Sequence, residues 1–163
     1  MDALISEIRS EFRKHKDLAD RAMVQLSNEE FFARPAAHVN SVAIIVKHLA
    51  GNLLSRWTDF LTSDGEKANR NRDGEFVASE HDTRASLLMA WEGGWDTLFR
   101  ALDELGTDDL QKVITIRGVD HTVSLAMLRG LTHAAYHTGQ ITYLVRLLKP
   151  DSEWLTMPLA TSR

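Results

Sequence analysis

Apolar residues recur every three or four positions along four long stretches of the chain. This spacing places them on one face of an α-helix, so each stretch is predicted to form an amphipathic helix. The predicted helices cover residues 2–26, 41–62, 82–105 and 124–148. A shorter turn of helix is expected to follow Ser27 and to stop before Pro35, because the residue before a proline disfavours helical geometry.

Side chains that cap helices stand at the expected starts. Ser, Thr, Asp and Asn accept a hydrogen bond from the first free backbone N–H groups of a helix. The predicted N-caps are Ser27, Asn40 or Ser41, Asp82 or Thr83, and Ser124.

Two other patterns interrupt the helical periodicity. Residues 62–82 contain few apolar side chains, two Asp-Gly pairs and many charges, which predicts a long loop. Residues 113–123 alternate between apolar and polar with Gly118 near the centre, which predicts a small two-stranded hairpin. Within the third helix, Gly93 and Gly94 indicate either close packing against a neighbouring backbone or a kink.

These elements together predict one domain covering residues 1–163. Four long amphipathic helices in a chain of 163 residues favour an all-α fold, a four-helix bundle with a small β-hairpin before the last helix. The long connection between the second and third helices leaves room for a crossover.

Composition narrows the possible functions. A formal net charge of −4 gives no reason to expect nucleic acid as a partner and argues against a polybasic protein that binds anionic membranes. The chain has no cysteine, which excludes disulfides, iron–sulfur clusters, cysteine-zinc sites and a protein thiol nucleophile. No signal peptide and no apolar run of the roughly 20 residues that span a bilayer is present, so a cytoplasmic location is expected.

Three histidines are the candidate metal ligands. His133 and His137 are four residues apart on the last helix, so both rings project from the same face and can share one metal ion. His48 lies in the otherwise apolar run IIVKHLAGNLL of the second helix. Three imidazoles suit zinc, nickel, iron(II) or copper, and they leave a coordination position open for water or substrate. The alternative is that each is a hydrogen-bonded core histidine.

The remaining histidines occur in charged or turn-like segments and are predicted to be solvated: His15, His38, His81 and His121. The chain lacks the Glu-x-x-His pairs of di-iron bundles, so a di-iron centre is disfavoured.

Polar residues near the histidines are candidates for catalysis or substrate binding. Asn52 and Asp59 follow His48 along the second helix, and Gln140 follows His137 by nearly one turn. Charged residues of the second helix and the following loop form a tentative substrate-binding group, unless they belong to a merely solvated segment: Arg56, Lys67, Arg70 and Arg72. On the third helix, Glu92 is the candidate for a further metal ligand or for a residue that supports the ligands. Trp57, Trp91 and Trp95 are expected to pack in the core rather than form a binding box.

Several segments carry a family resemblance. The combination of His48 with HAAYHTGQI resembles the DinB-like (YfiT-like) metal-binding superfamily of four-helix bundles. The segments HLAGNLLSRWTDFLTSDGEK, NRDGEF, WEGGWDTLF and THAAYHTGQITYLVRLLK are similar to a bacterial subgroup known only as a domain of unknown function. The resemblance runs to about Lys149, and its most specific part is the H-x-x-x-H-x-G-Q pattern that begins at His133.

The resemblance implies a bundle, commonly dimeric, in which three histidines hold one divalent metal. The matching positions are His48, His133 and His137, and nickel or zinc is expected, with iron or manganese as further candidates. Characterised relatives are similar to transferases and isomerases that use bacillithiol, mycothiol or glutathione. The long charged segment 62–82 departs from the simplest family pattern.

The leading functional hypothesis is therefore a metal-dependent enzyme of the thiol-dependent S-transferase type. Because the chain has no cysteine, a thiolate must come from a cosubstrate. The alternatives are a metal-dependent small-molecule hydrolase and a non-catalytic metal-binding or structural dimer. The expected partners are a small-molecule substrate and a second copy of the chain, with no nucleic acid and no membrane.

Overall fold

The computed structural model describes residues 3–151, and the chain is mostly helical with one antiparallel hairpin directly before the last helix. This confirms the predicted helices and the predicted position of the hairpin. The helices are α1 (Ala3–Met23), α2 (Asn28–Phe32), α3 (Val42–Trp57), α4 (Arg84–Glu104) and α5 (Val123–Leu148), and the strands are β1 (Val113–Ile116) and β2 (Val119–Thr122). The predicted start of the first helix at residue 2 lies outside the described residues.

Capping side chains define the starts of three helices as predicted. The Ser27 hydroxyl accepts from the backbone N–H of Glu30, whose carboxylate accepts from the Ser27 N–H in return. The Ser41 hydroxyl accepts from the N–H of Ile44 at the start of α3, and the Thr83 hydroxyl accepts from that of Ser86 at the start of α4. Each hydroxyl satisfies a backbone donor that has no partner within the helix.

The predicted cap of the last helix was wrong by two residues. The Thr122 hydroxyl accepts from the N–H of Leu125 at 3.2 Å, so α5 begins at Val123. The Ser124 hydroxyl instead donates to the carbonyl of Leu110 at 2.8 Å. The helix therefore follows the second strand without a connecting loop, which couples the hairpin directly to the helix that carries His133 and His137.

Helix α3 ends at Trp57, before the predicted end at residue 62. The backbone of Thr58 is extended, and Asp59 adopts a left-handed conformation with φ of 47°. Phe60 then folds back onto Trp57, with ring centroids 4.5 Å apart. This burial of an aromatic pair favours a turn over continuation of the helix, and the turn directs the following loop back along α3.

The loop between α3 and α4 is fastened to the hairpin. The Asp64 carboxylate accepts from the backbone N–H groups of Arg117 and Gly118, both at 2.8 Å. These two residues have φ of 55° and 70°, the type I′ geometry of a two-residue hairpin turn. Hydrogen bonds from the backbone N–H of Gly118 and then of Glu66 lower the pKa of Asp64 to about 2, so the carboxylate that holds the loop stays ionised.

One core is shared by the four long helices. Trp57, Trp91 and Trp95 are at most 2% exposed, which confirms that they pack in the core. Helix α3 packs chiefly on α4, and α1 on α5. Gly94 permits the first contact, because a Cβ there would lie 3.0 Å from the carbonyl oxygen of Ala50. None of the helices in residues 3–151 is long and apolar enough to cross a membrane.

Candidate metal centre

His48 is a buried polar residue in the middle of an apolar helix. His48 is 5% exposed, and its neighbours along α3 include Ile45 and Leu49, which are also buried. The ring is held in place by a hydrogen bond between its Nδ1 and the Glu75 carboxylate at 2.9 Å. A carboxylate can only accept, so Nδ1 carries the proton and Nε2 presents a lone pair.

His133 and His137 lie one turn apart on α5 and face His48. Both are half-buried, and their ring centroids are 4.5 Å apart. The hydrogen bond from His137 Nδ1 to the side-chain oxygen of Gln140, at 2.8 Å, again leaves Nε2 free to act as a ligand. Gly130 keeps α5 close to the core here, since a Cβ at this position would lie 2.9 Å from the ring of Trp57.

The Nε2 atoms of the three rings converge on one point. His133 Nε2 lies 3.4 Å from that of His48 and 3.1 Å from that of His137, and the ligand atoms of all three lie within 4.8 Å of one another. Two nitrogens bound at about 2.1 Å to a tetrahedral ion stand about 3.4 Å apart. The Nε2 atoms of His48 and His137 both carry lone pairs, and a single N–H on His133 Nε2 could point at only one of them. A shared cation accounts for both contacts at once.

A second layer of charged residues supports the histidines. The Arg70 guanidinium donates to both carboxylate oxygens of Glu75 at 2.7 Å, and Glu75 accepts from His48. Arg70 also contacts Glu66 at 3.1 Å. The side chains of Arg70, Glu75 and His48 are at most 9% exposed, so this chain of bonds runs through the interior. Such a partner fixes the orientation of a metal-ligating ring and raises its basicity.

Electrostatics keep two of the candidate ligands, His133 and His137, in the uncharged form that can bind a cation. Burial, with the charges of His137 and His48 next in importance, lowers the pKa of His133 to about 3. Burial also lowers the pKa of His137, against the hydrogen bond to Gln140. Burial alone would raise the pKa of Glu75, but hydrogen bonds from His48 and Arg70 outweigh it and the pKa is lowered. At neutral pH the site therefore holds uncharged imidazoles at positions 133 and 137 and an ionised carboxylate behind His48.

A cavity of about 280 Å³ opens beside His48 and His133. Three of the predicted polar residues lie in its wall, namely Asn52, Arg56 and Arg72. The open side of the histidine cluster therefore faces a space that a small molecule can enter.

Other predicted site residues lie elsewhere. Lys67 lies outside the cavity wall and donates to the carbonyl of Asp64 at 2.6 Å. Asp59 lies past the end of α3 and lines a separate depression, and within residues 3–151 it makes no ion pair with Arg56. Gln140 contacts His137, as described above.

Two further expectations need correction. Glu92 accepts from Lys16 at 2.9 Å on an exposed part of α4 and does not join the histidine cluster. His121 is not solvated, because its residue is 7% exposed and its ring contacts both the carbonyl of Val119 and the Arg129 guanidinium. His15 is half-buried, and burial lowers its pKa.

Sequence reasoning missed Glu75, which lies in the charged loop. The available signal was indirect. Gly51 follows His48 by three residues, nearly one turn, and any larger side chain there would collide with the Glu75 carboxylate. A glycine nearly one turn from a buried histidine thus indicated that another group, here the Glu75 carboxylate, lies against the helix at this point.

Comparisons with known proteins place the chain among proteins without an assigned activity. No curated protein matches it. A crystal structure of a conserved protein of Enterococcus faecalis superposes with a TM-score of 0.70 over 93% of this chain and 100% of that one, at 16% identity, which shows a shared fold. A family described as protein of unknown function (DUF1572) matches residues 2–163. Because that match spans nearly the whole chain, the protein belongs to the DUF1572 family.

Proposed function

We propose that this protein binds one divalent transition metal through His48, His133 and His137. The observation that carries the proposal is the convergence of the three Nε2 atoms, with separations of 3.1 Å and 3.4 Å from His133. Nitrogen ligands alone do not select the ion. The family resemblance favours nickel and zinc, with iron and manganese as further candidates. We also propose that the four long helices form a four-helix bundle of the DinB-like type.

The proposed activity is that of a metal-dependent enzyme which transfers a group to a thiol. A bound cation of this kind lowers the pKa of a coordinated thiol or water and supplies an anionic nucleophile at neutral pH. The protein has no cysteine, so the thiol belongs to a cosubstrate. In this proposal Glu75 and Gln140 hold the rings of His48 and His137, and the Asn52 amide in the cavity wall orients the bound substrate.

Metal content tests the first part of the proposal. Protein purified without a polyhistidine tag is expected to carry about one equivalent of metal, and His137→Ala is expected to lose it because two imidazoles hold the ion weakly. His38→Ala is the matched control, since His38 is exposed and outside the cluster. Wild-type protein that stays metal-free after incubation with nickel and zinc would contradict the proposal.

Turnover tests the second part. Metal-loaded protein is mixed with a small electrophile and with bacillithiol, mycothiol or glutathione, and loss of free thiol is followed. We expect one thiol to be consumed by the wild type and not by His137→Ala. Hydrolysis of an activated ester in the absence of any thiol would favour the hydrolase instead, and full metal occupancy with neither reaction would favour a structural role.

A further inference from the structure

Four arginines from separate parts of the chain meet in the cavity beside the histidines. They come from α3, the following loop, the hairpin turn and α5, and they are Arg56, Arg72, Arg117 and Arg129. His48 and His133 form part of the same wall. The remaining wall includes Ile116, Ala126 and Gly130, so no carboxylate lines the cavity among the described residues.

The positive charge of this group is only partly compensated. The Arg117 guanidinium donates to the Glu66 carboxylate at 3.3 Å, but the same carboxylate also accepts from Arg70. Arg129 contacts the ring of His121, and Arg72 lies over the ring of Phe76 at 5.7 Å. At least two guanidinium groups therefore have no acidic partner of their own within the described chain, although the protein as a whole has a net charge of −4.

Arg56 is the clearest case of an uncompensated charge. Among residues 3–151 its guanidinium makes no hydrogen bond or ion pair, and the side chain is half-buried. Burial lowers the pKa of Arg56, and the nearby Arg129 and Arg117 lower it further, against an opposing effect of Glu66. A partly desolvated cation beside other cations costs free energy unless an anion joins it.

We propose that this cavity binds a small dianion that carries carboxylate or phosphate groups. Guanidinium groups recognise both through paired N–H donors. A volume of about 280 Å³ is near the lower end of ligand sites, which suits a small metabolite. The position beside His133 makes this dianion the substrate or cosubstrate of the proposed enzyme, and that assignment rests on the proposed function. The binding itself does not depend on a metal.

Calorimetry with defined probes tests the proposal. Inorganic phosphate, malonate and the monoanion acetate are titrated at constant ionic strength into protein treated with EDTA and into metal-loaded protein. Arg56→Met removes the unpaired guanidinium and keeps an unbranched apolar side chain in place of the aliphatic part of arginine. Arg72→Met is the second variant, because Arg72 is exposed and its loss is expected to leave the fold intact. Arg100→Met, an exposed arginine outside this cavity, is the matched control.

We expect phosphate or malonate to bind more tightly than acetate, and the preferred probe identifies the class of dianion. Loss of one charge-assisted pair predicts a weakening of about tenfold or more in Arg56→Met, a smaller weakening in Arg72→Met and none in Arg100→Met. Equal affinity for all three anions, or equal affinity of Arg56→Met and Arg100→Met, would overturn the inference. Dianion binding by protein that takes up no metal would uphold it and refute the proposed metal centre.

Discussion

Two of the three candidate ligands are oriented by the side chain behind them. Glu75 accepts from His48 and Gln140 accepts from His137, so the lone pairs of both rings point toward the centre of the cluster. His133 is the third candidate ligand. Its pKa of about 3 keeps its ring uncharged at neutral pH. The identity of the second-layer residue therefore controls how well each ring is prepared for a cation.

Replacement of Glu75 by glutamine tests this role at the residue scale. The amide can still accept from His48, but the negative charge and the paired contacts to Arg70 are lost. We expect metal affinity to fall about tenfold to a hundredfold with little change in fold. The affinity is measured by competition with a chelator, and Glu80→Gln, an exposed glutamate of the same loop, is the control. Identical affinities of the two variants would show that Glu75 does not tune the site.

The candidate ligands were easier to find from the sequence than the residues that support them. His133 and His137 repeat at helical spacing, and His48 interrupts an apolar run, so local pattern alone marked all three. Glu75 stands in a loop with many other charges, and only the folded chain shows which of them turns inward. A charged side chain in a loop carries no periodicity from which its direction can be derived.

At the scale of elements, two adjacent glycines of α4 have different roles. Gly94 lies against α3, where a Cβ would approach the Ala50 carbonyl oxygen to 3.0 Å and the Leu53 Cβ to 3.2 Å. A Cβ on Gly93 would meet no described atom within 4 Å. The helix runs through both without interruption, and close packing, one of the two predicted explanations, holds for Gly94.

Alanine substitutions separate these roles. Gly94→Ala is expected to destabilise the protein by about 1–3 kcal/mol, because α3 and α4 must move apart. Gly93→Ala is expected to stabilise it by about 1 kcal/mol through helix propensity. Urea denaturation followed by circular dichroism measures both, and each variant is the other's control. A destabilised Gly93→Ala, or an unaffected Gly94→Ala, would contradict the packing described for this pair of helices.

Element boundaries were predicted less well than element types. The end of α3 depends on the contact of Phe60 with Trp57, and the start of α5 depends on a hydroxyl two residues before the predicted one. Both features are set by packing that sequence periodicity does not contain.

At the scale of the whole molecule, the last helix leaves apolar side chains exposed. These residues recur on α5 and are between 46% and 68% exposed: Leu125, Leu128, Tyr136, Tyr143 and Leu147. Exposed aromatic and aliphatic side chains arranged along one helix favour association. The predicted homodimer remains a prediction, and this row is the surface on which we expect the second copy to pack.

Light scattering coupled to size-exclusion chromatography tests the homodimer. We expect twice the mass of one chain for the wild type at micromolar concentration, and a shift toward the monomer in Tyr143→Glu, which places a charge within the apolar row. Met89→Glu on α4 is the control, because Met89 is 76% exposed and lies on another helix. A wild-type monomer at this concentration would refute the dimer.

The loop that holds Glu75 is itself tied to the hairpin by Asp64, and the hairpin runs directly into α5. A ligand that binds only when the loop is in place stabilises the ordered loop. By thermodynamic linkage, ordering of the loop strengthens the binding of the ligand by the same free energy. For the proposed metal centre, loop ordering and ion uptake are thus two measurements of a single equilibrium. We therefore expect amino-acid changes between residues 62 and 83 to alter metal affinity while every proposed coordinating atom stays the same.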